Sequence, residues 1–276
     1  MTSPATPILV IEPPAGSRLS LRDLWAYREV LYLLAWKDLK VRYKQTVLGA
    51  GWAVLQPLLT MVVFTVFFGR LGGLPSDGLP YPVFTYAALL PWMLFAHGLS
   101  QASQSVVAHQ DLITKVYFPR LLLVLAPFGV GLVDFAIAFG VLLVMMLAYG
   151  LVPGPALLAV PLFVALAVLA AVAVGVWLAA LNVRYRDVRH AVPFLVNVWL
   201  FASPVAYPAS LVPERWRLLY GLNPMVGVIE GFRWAIVGGS GPSCAVVGAS
   251  LAVTVFLLVS GVLYFSRLEQ TFADVV

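Results

Sequence analysis

Four cations fall within eight residues at Lys37, Lys40, Arg42 and Lys44, and aromatic rings accompany them at Trp25, Tyr32, Trp36 and Tyr43. With Leu39, the rings are spaced seven, four, three and four residues apart, which sets them on one helical face with the lysines on a neighbouring one. An aromatic stripe edged by ammonium groups suits a helix lying in a membrane interface, with rings at headgroup depth and cations toward lipid phosphate. That chemistry serves either a passive anchor or the recognition of an anionic headgroup. A second constellation, His97, Gln101 and Gln104 with Ser100, Ser103 and Ser105 beside them, makes a polar helical face. At membrane depth such a face turns either to a hydrated path or to a partner helix. Asp134 is the one carboxylate deep in an apolar run, where ionisation is expensive. It stays protonated, pairs with a cation or faces a polar cavity; a structural hydrogen bond is the first expectation, and no second acid accompanies it for proton coupling. The histidines His97, His109 and His190 are scattered and the acids do not cluster. The paired acids or metal cluster of a membrane glycosyl or phosphoryl transferase are therefore not spelled out, and no catalytic residue, metal or cofactor is expected in the chain. Cys244 is the only cysteine, which excludes an internal disulfide and a CxxC site.

These groups sit in a chain of 276 residues that is 62% hydrophobic and 11% charged, with a mean hydropathy of +0.95. The fold class expected is all-α and integral to a membrane. The net charge of +5 lies in short segments between apolar runs, a pattern that sets orientation and does not point to nucleic acid. A span needs about 20 apolar residues, and six stretches qualify: Leu48–Phe68, Val83–Ala102, Leu121–Tyr149, Ala156–Leu181, Ala191–Tyr207 and Ala245–Phe265. Counted in alternate flanks, one side holds every cation from Arg18 to Lys44, then Lys115, Arg120, Arg184, Arg186, Arg189 and Arg267; the other holds Arg70, Arg215, Arg217 and Arg233. The positive-inside rule then puts both termini in the cytoplasm. Residues 1–20, carrying Pro4, Pro7, Pro13 and Pro14, read as a disordered cytoplasmic tail and not as a signal peptide. One membrane domain over 21–276 follows, with an in-plane helix at 21–46 and six spans within 48–265.

Between the fifth and sixth spans, VPERWRLLYGLNPMVGVIEGFRWAIVGG is too apolar for an ordinary loop. Pro213 starts a short helix that Gly221 stops; Asn223 caps a second, Pro224 takes its first position and Gly238-Gly239 end it. Two short apolar helices form either a re-entrant hairpin or a hairpin flat on the outer surface. Glu230 and Arg233, three apart, are expected to pair locally at an exposed rim, where such a pair adds little. The inner segments HQDLITKVYFPR and NVRYRDVRH are polar and short, and serve either as docking surfaces for a soluble partner or as orientation signals.

LAWKDLKVRYKQTVLGAGWAVLQPL, then KVYFPR, then NVRYRDVRHAVPFLVNVWLFASPVAYPASLVPERWRLLYGLNPMVGVIEGFRW resemble the membrane subunit of polysaccharide-exporting ABC transporters. These are the type-2 permeases that move O-antigen or, in Gram-positive relatives, teichoic acid. Capsule exporters are less similar, since their basic stretch tends to carry Arg-Phe-Gly where this chain has Arg42-Tyr43-Lys44. The resemblance, from about Leu33 to Val237, implies a homodimer in the bacterial inner membrane, driven by two separate ATP-binding subunits that hold the ATP and Mg. The absence of a GxxxxGK[ST] stretch agrees with that division of labour. It also implies an undecaprenyl-diphosphate-linked glycan as cargo. Trp25, Tyr32, Trp36, Lys37, Lys40, Arg42, Tyr43 and Lys44 then belong to a gate helix at the point of entry. Asp111, Lys115, Arg120, Arg184, Arg186, Asp187 and Arg189 fall in segments that couple to the ATPase. Arg215, Trp216, Tyr220, Asn223, Glu230 and Arg233 belong to an outer gate. A passage for sugar needs rings and polar groups, for which Trp52, Phe64, Tyr86, Trp92, Phe95, His97, Gln101, Gln104, Trp199 and Phe201 are candidates. A drug or lipid exporter of the same architecture is the alternative, disfavoured only by the motif run.

Overall fold

A computed structural model describes residues 21–44, 49–185, 187–239 and 241–269. The tail at 1–20, Arg186 and the junction at 45–48 that was expected to end the in-plane helix and begin the first span lie outside them. Among the described residues every regular element is a helix, with no strand. In chain order they form α1 (Leu21–Ala26), α2 (Arg28–Lys44), α3 (Gly51–Phe64, continued as a π-helical turn over Thr65–Leu71), α4 (Tyr81–Ala108), α5 (Gln110–Lys115), α6 (Leu121–Leu125) and α7 (Pro127–Ala148). After a 3₁₀ turn come α8 (Val160–Arg184), α9 (Val188–Phe201), α10 (Glu214–Tyr220), α11 (Pro224–Val237) and α12 (Cys244–Glu269).

Among the described residues, five segments are long and apolar enough to cross a membrane: Gly51–Leu71, Tyr81–Ala108, Leu121–Ala148, Pro155–Arg184 and Cys244–Glu269. The expected fifth span, Ala191–Tyr207, is different. Its helix begins earlier, at Val188, and stops at Phe201 after 14 residues, roughly 21 Å at 1.5 Å per residue and short of a hydrocarbon core. Ser203-Pro204 ends it, because proline lacks the N–H that the next turn needs, and the apolar side chains that follow hid that stop. The in-plane segment is likewise two helices, broken at Tyr27, so Trp25 does not share a helix with the later rings.

The core is built around α4, which is buried along most of its length and packs on α3, α7, α8, α9 and α11. Its most extensive partner is α8, whose buried face is a run of Ala167, Ala170, Ala171, Gly175, Ala179 and Ala180. In lipid, association depends on close packing and polar links between helices. A Cβ at Gly175 would stand 2.9 Å from that of Ala102, so glycine there is what lets the two backbones close. Asn182 adds a link, donating to the Ser103 carbonyl at 2.9 Å. Hydrogen bonds also group the helix ends. Arg120 joins Glu269 at one end, while Ser210 donates to Asp77 (2.9 Å) and Tyr81 to the Ala206 carbonyl (2.5 Å) at the other.

Candidate functional site

The inner site begins with the way α2 meets the bundle. Tyr27, Val30, Leu31, Leu34, Asp38 and Arg42 recur at helical spacing on its less exposed side, with Leu34 buried. A Cβ at Gly129 of α7 would lie 2.9 Å from the Ala35 Cβ, so α2 rests directly on the α7 backbone. One turn beyond, Arg42 Nη2 reaches Asp134 Oδ2 at 2.5 Å and the Tyr43 hydroxyl donates to Asp134 Oδ1. Of the three alternatives for Asp134, the structure combines two, the cation pair and a place on a cavity, and the Tyr43 bond is the structural hydrogen bond expected first. Arg42 and Tyr43 accordingly turn inward, where a headgroup-facing stripe was expected, because a carboxylate in an apolar span draws the nearest donors. Burial, reinforced by Asp134, pushes the Tyr43 hydroxyl up to about 12, so it keeps its proton and remains a donor at neutral pH.

The opposite face of α2 is exposed. Tyr32 stacks on Trp36 at 6.2 Å and Lys40 Nζ lies 5.5 Å over the Trp36 ring. Lys37 and Lys44 are also exposed, as is Trp25 on α1, where Arg28 covers its ring at 5.4 Å.

Behind the Arg42–Asp134 pair lies a cavity of about 400 Å³ between α3, α4, α7 and α9, bordered by Trp52, Gln56, Thr60, Trp92, His97 and Asn197 among others. A second, of about 310 Å³, is bordered by Asp38, Gln101, Gln104, Ser105 and His109. Arg42 and His97 line both. Arg42 Nη1 lies 3.5 Å from His97 Nε2. A guanidinium can only donate, so Nε2 is the acceptor and the ring proton belongs on Nδ1.

The path candidates divide. Trp52, Trp92 and His97 border the first cavity, and Gln101 and Gln104 the second. Phe64 and Phe201 meet at 6.4 Å, with Phe68 beside them, just past the first cavity. Trp199 donates to Asn223 Oδ1 at 2.8 Å and stands edge-on to Phe95 at 5.0 Å. Tyr86 and Phe95 are fully buried and border neither cavity; these two are packing, since no open surface reaches their rings. Gln56, Thr60 and Asn197 were missed, although each is a polar residue inside an apolar run.

Of the coupling candidates, Asp111, Lys115, Arg184, Asp187 and Arg189 are exposed, together with Val116 and Tyr117. Arg120 instead holds the end of α12 through Glu269.

The outer residues are tied more tightly. Asn223 Oδ1 caps α11 by accepting from the Met225 amide, and its Nδ2 donates to the Ala202 carbonyl and Ser203 Oγ, each at 3.0 Å. Ser250 of α12 binds the same turn, accepting from the Gly227 amide and donating to the Gly221 carbonyl at 2.9 Å. Arg233 corrects the exposed-rim expectation: it is buried, bonded to Glu230 at 2.8 Å and to the Pro204 carbonyl at 2.7 Å, and lies 3.7 Å over the Phe84 ring. The three-residue spacing predicted the pair but carries no information about what α4 places over it. Tyr220 donates to the Tyr207 hydroxyl, whereas Arg215 and Trp216 are exposed.

Five helical segments of membrane-spanning length among the described residues, with short helices at one end and a helical hairpin at the other, define a multi-pass membrane protein. The chain belongs to the ABC-2 type transporter family, matched over residues 29–237. It is 31% identical over 257 residues to the O-antigen export system permease protein RfbA of Myxococcus xanthus, covering 92% of this chain and 98% of that protein. It is 26% identical to a Klebsiella pneumoniae protein of the same name, covering 90% and 95%. To the Escherichia coli polysialic acid transport protein KpsM it is 22% identical, covering 83% and 89%.

Proposed function

We propose that the chain is the membrane subunit of an ATP-driven exporter that moves a lipid-linked polysaccharide of the O-antigen kind out of the cytoplasm. The observation that carries this is the end-to-end match, at 31% identity, to a protein named as an O-antigen export permease. The geometry supports it, because Arg42 of α2 lines two cavities, the first bordered by Trp52 and Trp92 with Gln56 and Asn197, the second by Gln101 and Gln104, while the lysines of α2 stay exposed. Two copies form the channel in the bacterial inner membrane, each bound to a separate ATPase subunit at segments 109–120 and 184–190, with both termini cytoplasmic. The exposed apolar faces of α3 and α9, with Leu59, Val63, Phe194 and Val198, are the surface a second copy covers. Residues 21–276 make one domain of six spans, the fifth being α9 completed by the turn to Tyr207. α11, buried on α4, α8 and α12, is the re-entrant arm, and α10 lies outside it.

In this scheme Lys37, Lys40 and Lys44 draw in the diphosphate of an undecaprenyl-diphosphate-linked glycan, each contributing about 1 kcal/mol near an anionic surface. The phosphate competes with Asp134 for Arg42, and release of Arg42 joins the two cavities. Loss of the subunit from its host is expected to abolish surface polysaccharide and to accumulate glycan-lipid on the inner leaflet. Surface polysaccharide at the parental level would refute the assignment.

A further inference from the structure

A third cavity, of about 470 Å³, lies at the end opposite α2, between α10, α11 and the turns on either side of them. Asp77, Arg217, Tyr220, Glu230, Arg233 and Trp234 border it. Two carboxylates face two guanidiniums, so an anion would meet Asp77 and Glu230, and a cation would meet Arg217 and Arg233. An apolar ligand would strand all four. The ligand that fits is neutral and carries many groups that both donate and accept. Donor and acceptor capacity remains for it: Asp77 Oδ1 takes the Ser210 hydroxyl, Glu230 accepts from Arg233, and Arg217 Nε donates to the Val212 carbonyl while its Nη1 lies 3.6 Å from Glu214. Each carboxylate has a further oxygen, and each guanidinium further N–H groups, beyond those bonds. Arg233 Nε is buried with no hydrogen-bond partner. The Trp234 indole adds a flat apolar surface of the sort that sugar C–H faces pack on, and the volume falls in the range of roughly 300–1,000 Å³ usual for small-ligand sites.

We propose, building on the export reading, that this outer cavity binds one or two neutral sugar units of the emerging glycan. The full chain in lipid nanodiscs, probed with free mannose, rhamnose, galactose, N-acetylglucosamine and mannobiose by saturation-transfer difference NMR, tests this directly. Transfer to the ring protons of at least one saccharide is expected. Asp77→Asn or Arg217→Gln should weaken its affinity about tenfold, the loss of one charge-assisted hydrogen bond, and Phe256→Ala on the exposed face of α12, which borders no cavity, should leave it unchanged. Asp77 is exposed with φ at 50°, a conformation asparagine also tolerates, so its replacement leaves the fold intact. No transfer from any saccharide overturns the site, as does transfer that survives both outer variants or falls equally in Phe256→Ala. Export measured in cells separates the two readings, because parental export without binding rejects the outer site and leaves the exporter standing.

Discussion

Arg42 and Arg233 each meet a carboxylate, but Arg42 crosses from α2 to α7 whereas Arg233 turns back to its own helix. The inner pair is the more exposed, with side chains 35% and 16% exposed, and its Arg42 lines two cavities. Arg233 is 8% exposed and enclosed by Glu230, the Pro204 carbonyl and the Phe84 ring. A buried charge whose partners belong to one packed unit holds that unit together. A charge whose partner lies on another element holds two elements that are able to part. The first arrangement makes a fastening and the second a latch.

The contrast breaks most visibly at the outer arginine. Arg233→Ala leaves Glu230 without its cation and a void over Phe84, and a loss of about 3–5 kcal/mol is expected for one broken buried pair. Thermal unfolding in detergent measures it, and an unchanged midpoint would mean that the fastening is ornamental.

At the latch, Asp134→Asn or Arg42→Gln alone should cost about 1–3 kcal/mol, since each strands a partner. The double variant should cost less than the sum, with coupling of at least about 0.5 kcal/mol. Spin labels on α2 and α7 should show a broadened distance in the single variants; an unaltered distribution removes the latch. Because the Tyr43 hydroxyl is raised in the folded state, its contribution is complete below pH about 10 and fades as pH rises through about 12.

Gly129→Ala tests the same docking without touching charge. The new methyl meets Ala35 at 2.9 Å, and a smaller loss of about 1 kcal/mol with a displaced α2 is expected. The mildest change in stability belongs to Lys40→Gln with Lys44→Gln, below about 0.5 kcal/mol for exposed sites. Apparent affinity for glycan-lipid should nevertheless fall about tenfold, and less in high salt. Parental export across substrate concentrations would return α2 to the role of a passive anchor.

What was legible in the sequence was local. Asn223, Pro224 and Gly238 punctuate α11 as their cap chemistry requires, and the long apolar runs marked five spans. The end of α9 was obscured because Ser203-Pro204 sits among residues as apolar as a helix interior. The latch was illegible for another reason: Tyr43 and Asp134 are 91 residues apart, and nothing in either neighbourhood names the other. The signal available was depth, since a carboxylate about two turns into an apolar run calls for a cation that ends at the same level. The burial of Arg233 had no such signal, because the ring that covers it arrives from α4.

The tie between Arg120 and Glu269 gives α12 a mechanical character. At one end the helix is held to the loop after α5, and at Ser250 it is held to the turn between α10 and α11. The two attachments are separated by roughly 28 Å of continuous helix at 1.5 Å per residue. A helix does not shorten under axial load as a loop does, so α12 is a strut with a joint at each end. A displacement of Arg120 along that axis is expected to be felt at Gly221 and Gly227 at the other end of α12, and Ser250→Ala disconnects the far joint while the near one stays made.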